Sequence, residues 1–435
     1  MAGMGASMVF PMEMLGTIRK HVSPNDKIQV GLIGCKGMGF SDLSSMLKNS
    51  EVEVVALCDV DENILQQRTA DLEKAGIKKP KWYSDYRKLL EDKDIDIAII
   101  GTPDHWHCLL LVDSIDAGKD VYCEKPIANS IAECDVMLNK VNASDRMVQI
   151  GQWQRSQPHF VDAINYVHSG KLGQIRLAKT WAYQGWMKSI PTVPDSPVPT
   201  GVDYKMWLGP APDRPFNKNR FHFDFRWFWD YAGGLMTDWG VHLIDYALYG
   251  MKASTPKSVM AMGGKFAYPD DAAETPDTLQ TVYEFDGFSL LWEHANGIDG
   301  GNYGRNHGIA FIGNNGTLVL DRGGWEVIPE NDRPHWSQNN GPKIEAVPVQ
   351  RVEASGLDLH TTNFLDAVKS RDKSILNAPI KVGYDAAVVS HMGNIAYKTG
   401  ERLFWDAGQH QFKNAAANDH LAKAYHNGWE LPQVG

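Results

Sequence analysis

Short apolar runs alternate with amphipathic segments along the first third of the chain. The runs are rich in Val, Ile and Leu, which predicts buried parallel strands over residues 27–33, 52–58, 95–100, 120–123 and 147–150. The amphipathic segments predict helices over residues 41–48, 61–75, 86–90, 107–117 and 131–141. Strands that alternate with helices predict an α/β domain with a doubly wound parallel sheet over residues 27–150.

After residue 150 the pattern changes, because strand-like runs follow one another without regular helices between them. These runs cover residues 259–262, 278–285, 290–294, 308–312 and 317–320. Their arrangement predicts a mainly antiparallel sheet. Residues 360–370 and 382–398 have the spacing of helices, so residues 151–435 are predicted to form a second α/β domain.

The first 26 residues stand apart from both domains. Residues 1–11 are small and apolar and lack a charged stretch at their start, so they resemble an export signal whose front half has been removed. A flexible N-terminus is the alternative. The export interpretation predicts a periplasmic protein, and the alternative predicts a cytoplasmic one.

Charge and cysteine content argue against several classes of protein. The 435 residues carry a net charge of −10 and no Lys/Arg-rich run, which argues against nucleic-acid binding. No run of about 20 apolar residues is present, so no membrane span is expected. The five cysteines have no C-x-x-C spacing, and His105 and His107 would point apart on a helix. We therefore expect neither a disulfide framework nor a metal site.

A glycine-rich turn follows the first predicted strand and precedes the first helix. It contains Gly34, Lys36, Gly37, Met38 and Gly39. Glycines in such a turn let a pyrophosphate approach the helix N-terminus, and Asp59 ends the next strand, where its carboxylate would bind the adenosine ribose and repel a 2′-phosphate. The turn predicts a Rossmann dinucleotide site for NAD, with NADP less favoured. Lys36 replaces the usual second glycine, and it could point outward or contact the phosphate.

Three further residues have the chemistry needed to oxidise an alcohol. Lys125, within Glu124-Lys125-Pro126, follows a strand of the parallel sheet, where a lysine can stabilise developing alkoxide charge. A surface lysine is the alternative. Asp238 and His242 are four residues apart and would share one helix face, so that the carboxylate orients the imidazole as a general base. An ordinary ion pair on a helix face is the alternative.

The chain resembles the Gfo/Idh/MocA oxidoreductases in four segments. They are the glycine turn, Thr102-Pro103-Asp104-His105-Trp106-His107, Glu124-Lys125-Pro126 and the Gly-Gly-x-x-x-Asp-x-Gly-x-His pattern ending at His242. The resemblance implies a large open C-terminal sheet used in homodimer or homotetramer contacts. Residues 207–212 and 392–396 resemble the larger exported bacterial members.

The same resemblance implies roles for individual residues. It places Lys125, Asp238 and His242 at the substrate beside the nicotinamide. Implied cofactor contacts include Thr102, Pro103, His107, Glu124 and Lys125. Implied substrate contacts are Gln152, Arg155, His159 and Tyr183.

Residue pattern and resemblance together predict an NAD-dependent dehydrogenase that oxidises a ring hydroxyl of a sugar, glycoside or cyclitol. His242 would be the base, Asp238 its orienting partner and Lys125 the stabiliser of the alkoxide. A redox-neutral glycosidase, which uses bound NAD to oxidise a sugar, eliminate the aglycone and reduce the product, is the alternative. A non-catalytic NAD-binding protein is a third hypothesis, and the presence of the acid–base residues argues against it.

Overall fold

The parallel sheet predicted for the first domain is present. The computed structural model describes residues 27–338 and 340–434, so the predicted leader at residues 1–26 lies outside the described residues. In chain order the elements are β1 (Ile28–Ile33), α1 (Met38–Met46), β2 (Val52–Cys58), α2 (Glu62–Lys74), β3 (Lys81–Tyr83), α3 (Tyr86–Leu90), β4 (Ile97–Ile100), α4 (His107–Asp116), β5 (Asp120–Cys123), α5 (Ile131–Asn142) and β6 (Val148–Ile150). The strands lie in the order β3-β2-β1-β4-β5-β6, and all neighbours are parallel. Strand β3 was not predicted, because it is an edge strand that begins with the exposed Lys81 and forms no apolar run.

The second sheet is larger than predicted and has ten strands. The elements of this half are α6 (Pro158–His168), β7 (Ile175–Gln184), α7 (Tyr204–Leu208), α8 (Gly234–Asp238), α9 (Gly240–Met251), β8 (Ser258–Gly264), β9 (Thr278–Glu284), β10 (Ser289–Asn296), β11 (His307–Gly313), β12 (Gly316–Asp321), β13 (Gly324–Pro329), β14 (Val347–Gln350), α10 (Gly356–Ser370), α11 (Ile380–Thr399), β15 (Leu403–Asp406) and β16 (Gln411–Phe412). The strand order is β14-β13-β12-β11-β7-β10-β9-β8-β15-β16. Only β7 and β10 pair in parallel, which confirms the mainly antiparallel prediction.

The two faces of the ten-stranded sheet have different surroundings. On one face, Leu290 and Trp292 of β10 share a core with side chains of α9 and α11. On the opposite face, Leu177, Met260 and Met262 remain exposed. Within the described part of the chain, no helix has the length and apolar character needed to cross a membrane.

The boundary predicted at residue 150 separates the two sheets but not the two cores. Phe364 and Leu365 of α10 lie in the hydrophobic cluster that contains Leu43 of α1 and Tyr122 of β5. Helix α10 therefore covers the parallel sheet, and the second half of the chain completes the first domain.

The end of the chain also returns to the first domain. The Tyr425 hydroxyl donates to Glu133 of α5 at 2.7 Å. The Trp429 ring lies edge-on to Trp106, with ring centres 4.9 Å apart. These contacts fasten residues 421–431 beside α4 and α5.

The connection between β7 and α8 reaches over the loop that follows β2. The Gly201 carbonyl accepts a hydrogen bond from the Glu62 N–H at 2.9 Å. His222 Nε2 lies 2.9 Å from an oxygen of Asp61. The connection thus encloses the end of β2, where Asp59 lies.

Candidate functional site

The predicted site residues of the first domain meet at one edge of the parallel sheet. The glycine turn follows β1, Asp59 follows β2, Thr102 follows β4 and Glu124 follows β5. Because these strands are parallel neighbours, their four loops emerge side by side. Open α/β sheets bind ligands at this carboxyl edge.

Two glycines of the turn are required by close backbone packing. Gly34 has φ +85°, and a Cβ there would lie 2.7 Å from the Thr102 backbone nitrogen. A Cβ on Gly39 would lie 2.3 Å from the Gly34 carbonyl oxygen. The turn therefore packs directly against the loop after β4, which leaves no room for side chains.

Gly37 is required for a different reason. It has φ +58°, and a Cβ there would meet no atom within 4 Å, so the space beside it is open. Gly37 precedes α1, which begins at Met38, and no side chain caps that helix. The first N–H groups of α1 thus face open space beside a bare backbone, which fits the pyrophosphate of a dinucleotide.

Asp59 faces the glycine turn. Its carboxylate accepts hydrogen bonds from the N–H groups of Cys35 at 2.8 Å and Asp61 at 3.0 Å. Burial raises its pKa to about 6, and the two hydrogen bonds oppose the rise. Lys36 is an exposed residue of the turn. Partial burial lowers the pKa of its ammonium, and the nearby charges of Asp61 and Asp59 oppose that shift.

Thr102 and His107 lie between the cofactor edge and the catalytic candidates. The Thr102 hydroxyl is buried and has no hydrogen-bond partner among the residues described, and Pro103 precedes the short helical turn that leads into α4. His107 directs Nδ1 to the Pro126 carbonyl at 2.7 Å and Nε2 to the Thr102 carbonyl at 2.9 Å. His107 therefore positions Thr102 and Lys125-Pro126 and turns neither ring nitrogen to open space, although the sequence predicted a direct cofactor contact.

Glu124 is buried where β5 and β6 end. Within the part of the chain that the structure describes, neither its Oε1 nor the two carboxylate oxygens of Asp42 on α1 have a hydrogen-bond partner. Burial raises the pKa of Glu124 to about 7, and the Lys125 charge opposes the rise. A Cβ on Gly151 would lie 2.1 Å from Glu124 Oε1, so the glycine after β6 makes room for this carboxyl group.

The side chain of Lys125, a residue of the first domain, contacts the second domain. Its Nζ donates to both the carboxylate and the backbone carbonyl of Asp238, at 3.0 Å each. Arg226 Nε donates to the same carboxylate oxygen at 3.2 Å. Burial acts to raise the pKa of Asp238, but Lys125 and Arg226 outweigh it and hold the pKa at about 2. Asp238 is therefore ionised and shared by two cations.

The helix predicted to carry Asp238 and His242 is interrupted between them. Helix α8 ends at Asp238 and α9 begins at Gly240. The His242 N–H donates to the Trp239 carbonyl at 3.1 Å instead of to Asp238. The Asp238 carbonyl is thereby left free to accept the Lys125 ammonium, and the expected pairing of the Asp238 carboxylate with His242 is replaced by pairing with Lys125.

The His242 side chain has no hydrogen-bond partner among the described residues. Its Nδ1 is fully buried and unpaired, and its ring centre lies 6.5 Å from that of Trp153. Burial, followed by the charges of Lys125 and Arg322, holds the pKa of His242 well below its usual range. The ring is neutral at pH 7 and has the protonation state of a base.

The four predicted substrate contacts have different surroundings. Gln152 lies beside the start of α9, the helix that carries His242, because its side chain donates to the Val241 carbonyl at 3.2 Å. His159 Nε2 lies 3.0 Å from the Asp321 carbonyl, at the hairpin that follows β12.

Arg155 and Tyr183 are engaged elsewhere. Arg155 forms an ion pair with the buried Asp245 and lines a cavity that contains none of the three catalytic candidates. The Tyr183 hydroxyl donates to Glu293 at 3.0 Å. Tyr183 and Glu293 lie on the sheet face opposite the helices, the face that also carries Trp181, the cross-strand partner of Glu293. The structure therefore does not bring Arg155 or Tyr183 to Lys125.

Two charged residues at the site were missed by the sequence analysis. Arg226 lies in a short helical segment that is part of no motif, so no local signal marked it. Asp104 lies within the Thr102–His107 segment and is buried, which raises its pKa to about 7 against the charges of Arg226 and Lys125. Within the described residues, no three His, Cys, Asp or Glu side chains are grouped closely enough to hold a metal ion.

Comparison with known families agrees with this geometry. Residues 28–152 match the Gfo/Idh/MocA model described as an oxidoreductase family with an NAD-binding Rossmann fold. Residues 172–318 match the model for the C-terminal α/β domain of the same family.

Curated relatives match over part of their length. Inositol 2-dehydrogenase of Salmonella typhimurium is 34% identical over 178 residues, which is 40% of this chain and 50% of that protein. Glycosyl hydrolase family 109 protein 1 of a Shewanella species is 27% identical over 176 residues, 39% of this chain and 38% of that protein. The chain thus spans at most about half the length of these relatives.

Among solved structures, a levoglucosan dehydrogenase in complex with NADH and levoglucosan superposes with a TM-score of 0.63 at 18% identity. The match covers 87% of this chain and 99% of that one. At this identity the likeness establishes a shared fold across both domains.

Proposed function

Because the chain belongs to the Gfo/Idh/MocA oxidoreductase family, we propose that it is an NAD-dependent dehydrogenase for a ring hydroxyl of a sugar, glycoside or cyclitol. The observation that carries the proposal is the Lys125–Asp238 ion pair beside an unpaired, neutral His242. These groups lie at the carboxyl edge of the NAD-binding sheet. Similarity to an inositol dehydrogenase over half of its length supports a cyclic polyol or sugar as substrate class.

His242 and Lys125 would each contact the hydroxyl group of the substrate in a different role. The hydroxyl would donate a hydrogen bond to the neutral imidazole and accept one from the Lys125 ammonium. As His242 removes the proton, Lys125 stabilises the negative charge that develops on the oxygen. When bound, NAD would accept the hydride from the carbon atom that carries the hydroxyl group.

Asp238 is a positioning residue in this scheme. Its carboxylate and carbonyl both hold the Lys125 ammonium, so the lysine keeps one orientation. Because Asp238 remains ionised, it also offsets part of the charge of Lys125 and Arg226. The structure gives no contact through which Asp238 would orient His242, and the proposal does not require one.

The test is the near-ultraviolet absorbance of the purified protein mixed with NAD and a panel of sugars, glycosides and inositols. Growth of the reduced-nicotinamide band with one class of compound would support the proposal and identify the substrate class. A flat band across the panel, in protein that still binds NAD by fluorescence titration, would contradict it.

A redox-neutral glycosidase is the second candidate, because the chain is similar to glycosyl hydrolase family 109 proteins over about 39% of its length. Cleavage of aryl glycosides is followed in the same samples. Release of the aglycone without net reduction of NAD would favour this candidate over the dehydrogenase.

A further inference from the structure

An arginine that forms no ion pair with any described residue lies beside the proposed reaction centre. Arg322 is in the hairpin between β12 and β13, and its Cζ lies 4.9 Å from the ring centre of Trp153 and 4.6 Å from that of Trp239. Its Nε is fully buried and has no hydrogen-bond partner among the described residues. We refer to Arg322, Trp153 and Trp239 as the Arg322 shelf.

The shelf adjoins the catalytic candidates on two sides. Trp239 is the residue at which the helix breaks, between Asp238 and Gly240, and Trp153 lies beside the His242 ring. The His307 ring packs on Trp239 with ring centres 4.9 Å apart, and its buried Nε2 has no partner in residues 27–338 and 340–434 either. Unpaired nitrogens of Arg322, His307 and His242 therefore surround one side of the site.

The charges around the shelf do not balance. Asp238 is the carboxylate that acts on Arg322, but it already accepts from Lys125 and Arg226. Asp321, next to Arg322 in the chain, pairs with Arg305 at 2.8 Å. Asp104 and Glu124 act on Lys125 and Arg226. Among the described residues, Asp238 is the carboxylate left to offset the charge of Arg322. Leaving a largely desolvated guanidinium unpaired costs free energy, so the arrangement is suited to a ligand that brings its own negative charge.

We propose that the Arg322 shelf binds a carboxylate group of the substrate, so that the dehydrogenase acts on a sugar acid such as a hexuronate or its glycoside. This inference rests on the proposed function, because it assigns the substrate class of the same site. A guanidinium donates two parallel N–H bonds to a carboxylate, and the two indole rings hold its plane in place. The ring hydroxyl of the same molecule would then reach His242 and Lys125.

The first experiment compares matched substrates in the NAD-loaded protein. Glucuronate, glucose and glucose 6-phosphate are assayed for reduced nicotinamide and, separately, for binding by quenching of tryptophan fluorescence. We expect kcat/KM for glucuronate to exceed that for glucose by at least about tenfold, with tighter binding in the same order. Equal values for the two sugars would overturn the inference, and tighter binding of glucose 6-phosphate would replace the carboxylate with a phosphate.

The two readouts separate failure of the inference from failure of the proposed function. Selective binding of glucuronate without reduction of NAD would leave the shelf assignment intact and contradict the dehydrogenase. Oxidation of glucose as fast as glucuronate would keep the dehydrogenase and contradict the shelf assignment.

The second experiment removes the charge with Arg322→Met. We expect kcat/KM for glucuronate to fall roughly 10²-fold, mainly through KM, while the value for glucose changes little. Arg176→Met, at an exposed position of β7, is the matched control. Equal losses for both sugars would show that Arg322 only supports the fold. Should Arg322→Met fail to fold, Arg322→Lys is the second variant, because it keeps the positive charge but lacks the paired N–H groups of the guanidinium. An unchanged preference for glucuronate over glucose in Arg322→Lys would likewise contradict carboxylate binding by those paired groups.

Discussion

At the scale of single residues, the site is defined by which charged groups are paired and which are not. Lys125, Asp238 and His242 could be found from the sequence, because each lies in a short motif next to a predicted strand end or helix. The pairing of Asp238 with Lys125 could not, because it depends on Arg226 and on a one-residue break in a helix. The position of Arg322 at the site could not be predicted either, because a single arginine in a hairpin belongs to no sequence motif.

Replacement of His242 tests the proposed base. We expect His242→Ala to lower kcat by roughly 10²- to 10⁴-fold, the contribution of a positioned general base. Steady-state formation of reduced nicotinamide measures the effect. His335→Ala, at an exposed position, serves as the control. An unchanged rate would remove His242 from the role of base.

At the scale of elements, apolar character decided what could be predicted. The apolar runs of β1, β2 and β4 and the long segment of α11 stood out from their surroundings, and the structure has all four. Short strands such as β3 and β16 form only because a neighbour supplies hydrogen bonds, which a local pattern does not record. The same holds for the division between α8 and α9, where the Lys125 ammonium takes the carbonyl that would continue the helix.

The glycine turn gives a matched pair of substitutions. Gly34 and Gly37 both have positive φ, so alanine strains either by roughly 1–2 kcal/mol. Only at Gly34 does the new Cβ collide with backbone, at 2.7 Å, and we expect Gly34→Ala to cost roughly 1–3 kcal/mol more in the free energy of unfolding. Gly37→Ala should instead weaken NAD binding. Denaturant unfolding and NAD titration measure the two effects, and equal destabilisation by both variants would contradict the packing argument.

Helix α11 is tied to the first domain by a histidine that resists protonation. His391 Nε2 lies 3.0 Å from the Ala128 carbonyl, and burial lowers the pKa of His391 to about 4. The unfolded chain binds a proton at its usual pKa near 6.5, so the stability that neutral His391 contributes is present above that pH and is lost as the pH falls towards 4.

We therefore expect the free energy of unfolding of the wild type to fall by roughly 2 kcal/mol more than that of His391→Gln when the pH is lowered from 7.5 to 5. Urea unfolding at the two pH values measures the difference. His420→Gln, at an exposed position, should show no such difference. A constant gap between His391→Gln and the wild type would contradict the burial of a neutral imidazole.

At the scale of the whole molecule, the ten-stranded sheet has one face without helices. Several apolar side chains on that face are exposed, among them Met262 at 75% and Met260 at 52%. Contiguous apolar surface of this kind is typical of contacts between subunits. We propose that this face joins copies of the chain into a dimer or tetramer.

Light scattering coupled to gel filtration tests the assembly. We expect an oligomer for the wild type and a shift to monomers for Met262→Glu, because a charge would be buried in the contact. Trp336→Glu changes a side chain that is 77% exposed but lies outside the strands, and it should leave the mass unchanged. A monomeric wild type at micromolar concentration would contradict the proposal.

The return of the chain end to the first domain has a consequence for biosynthesis. Residues 27–150 leave the ribosome before Phe364, which fills part of their core, and before Tyr425 and Trp429, which cover α5 and Trp106. The nucleotide-binding half therefore cannot reach its final packing until these later residues have been synthesised. A chain stalled or cut before them would expose the unfinished surface, so residues 421–431 distinguish a finished first domain from an unfinished one.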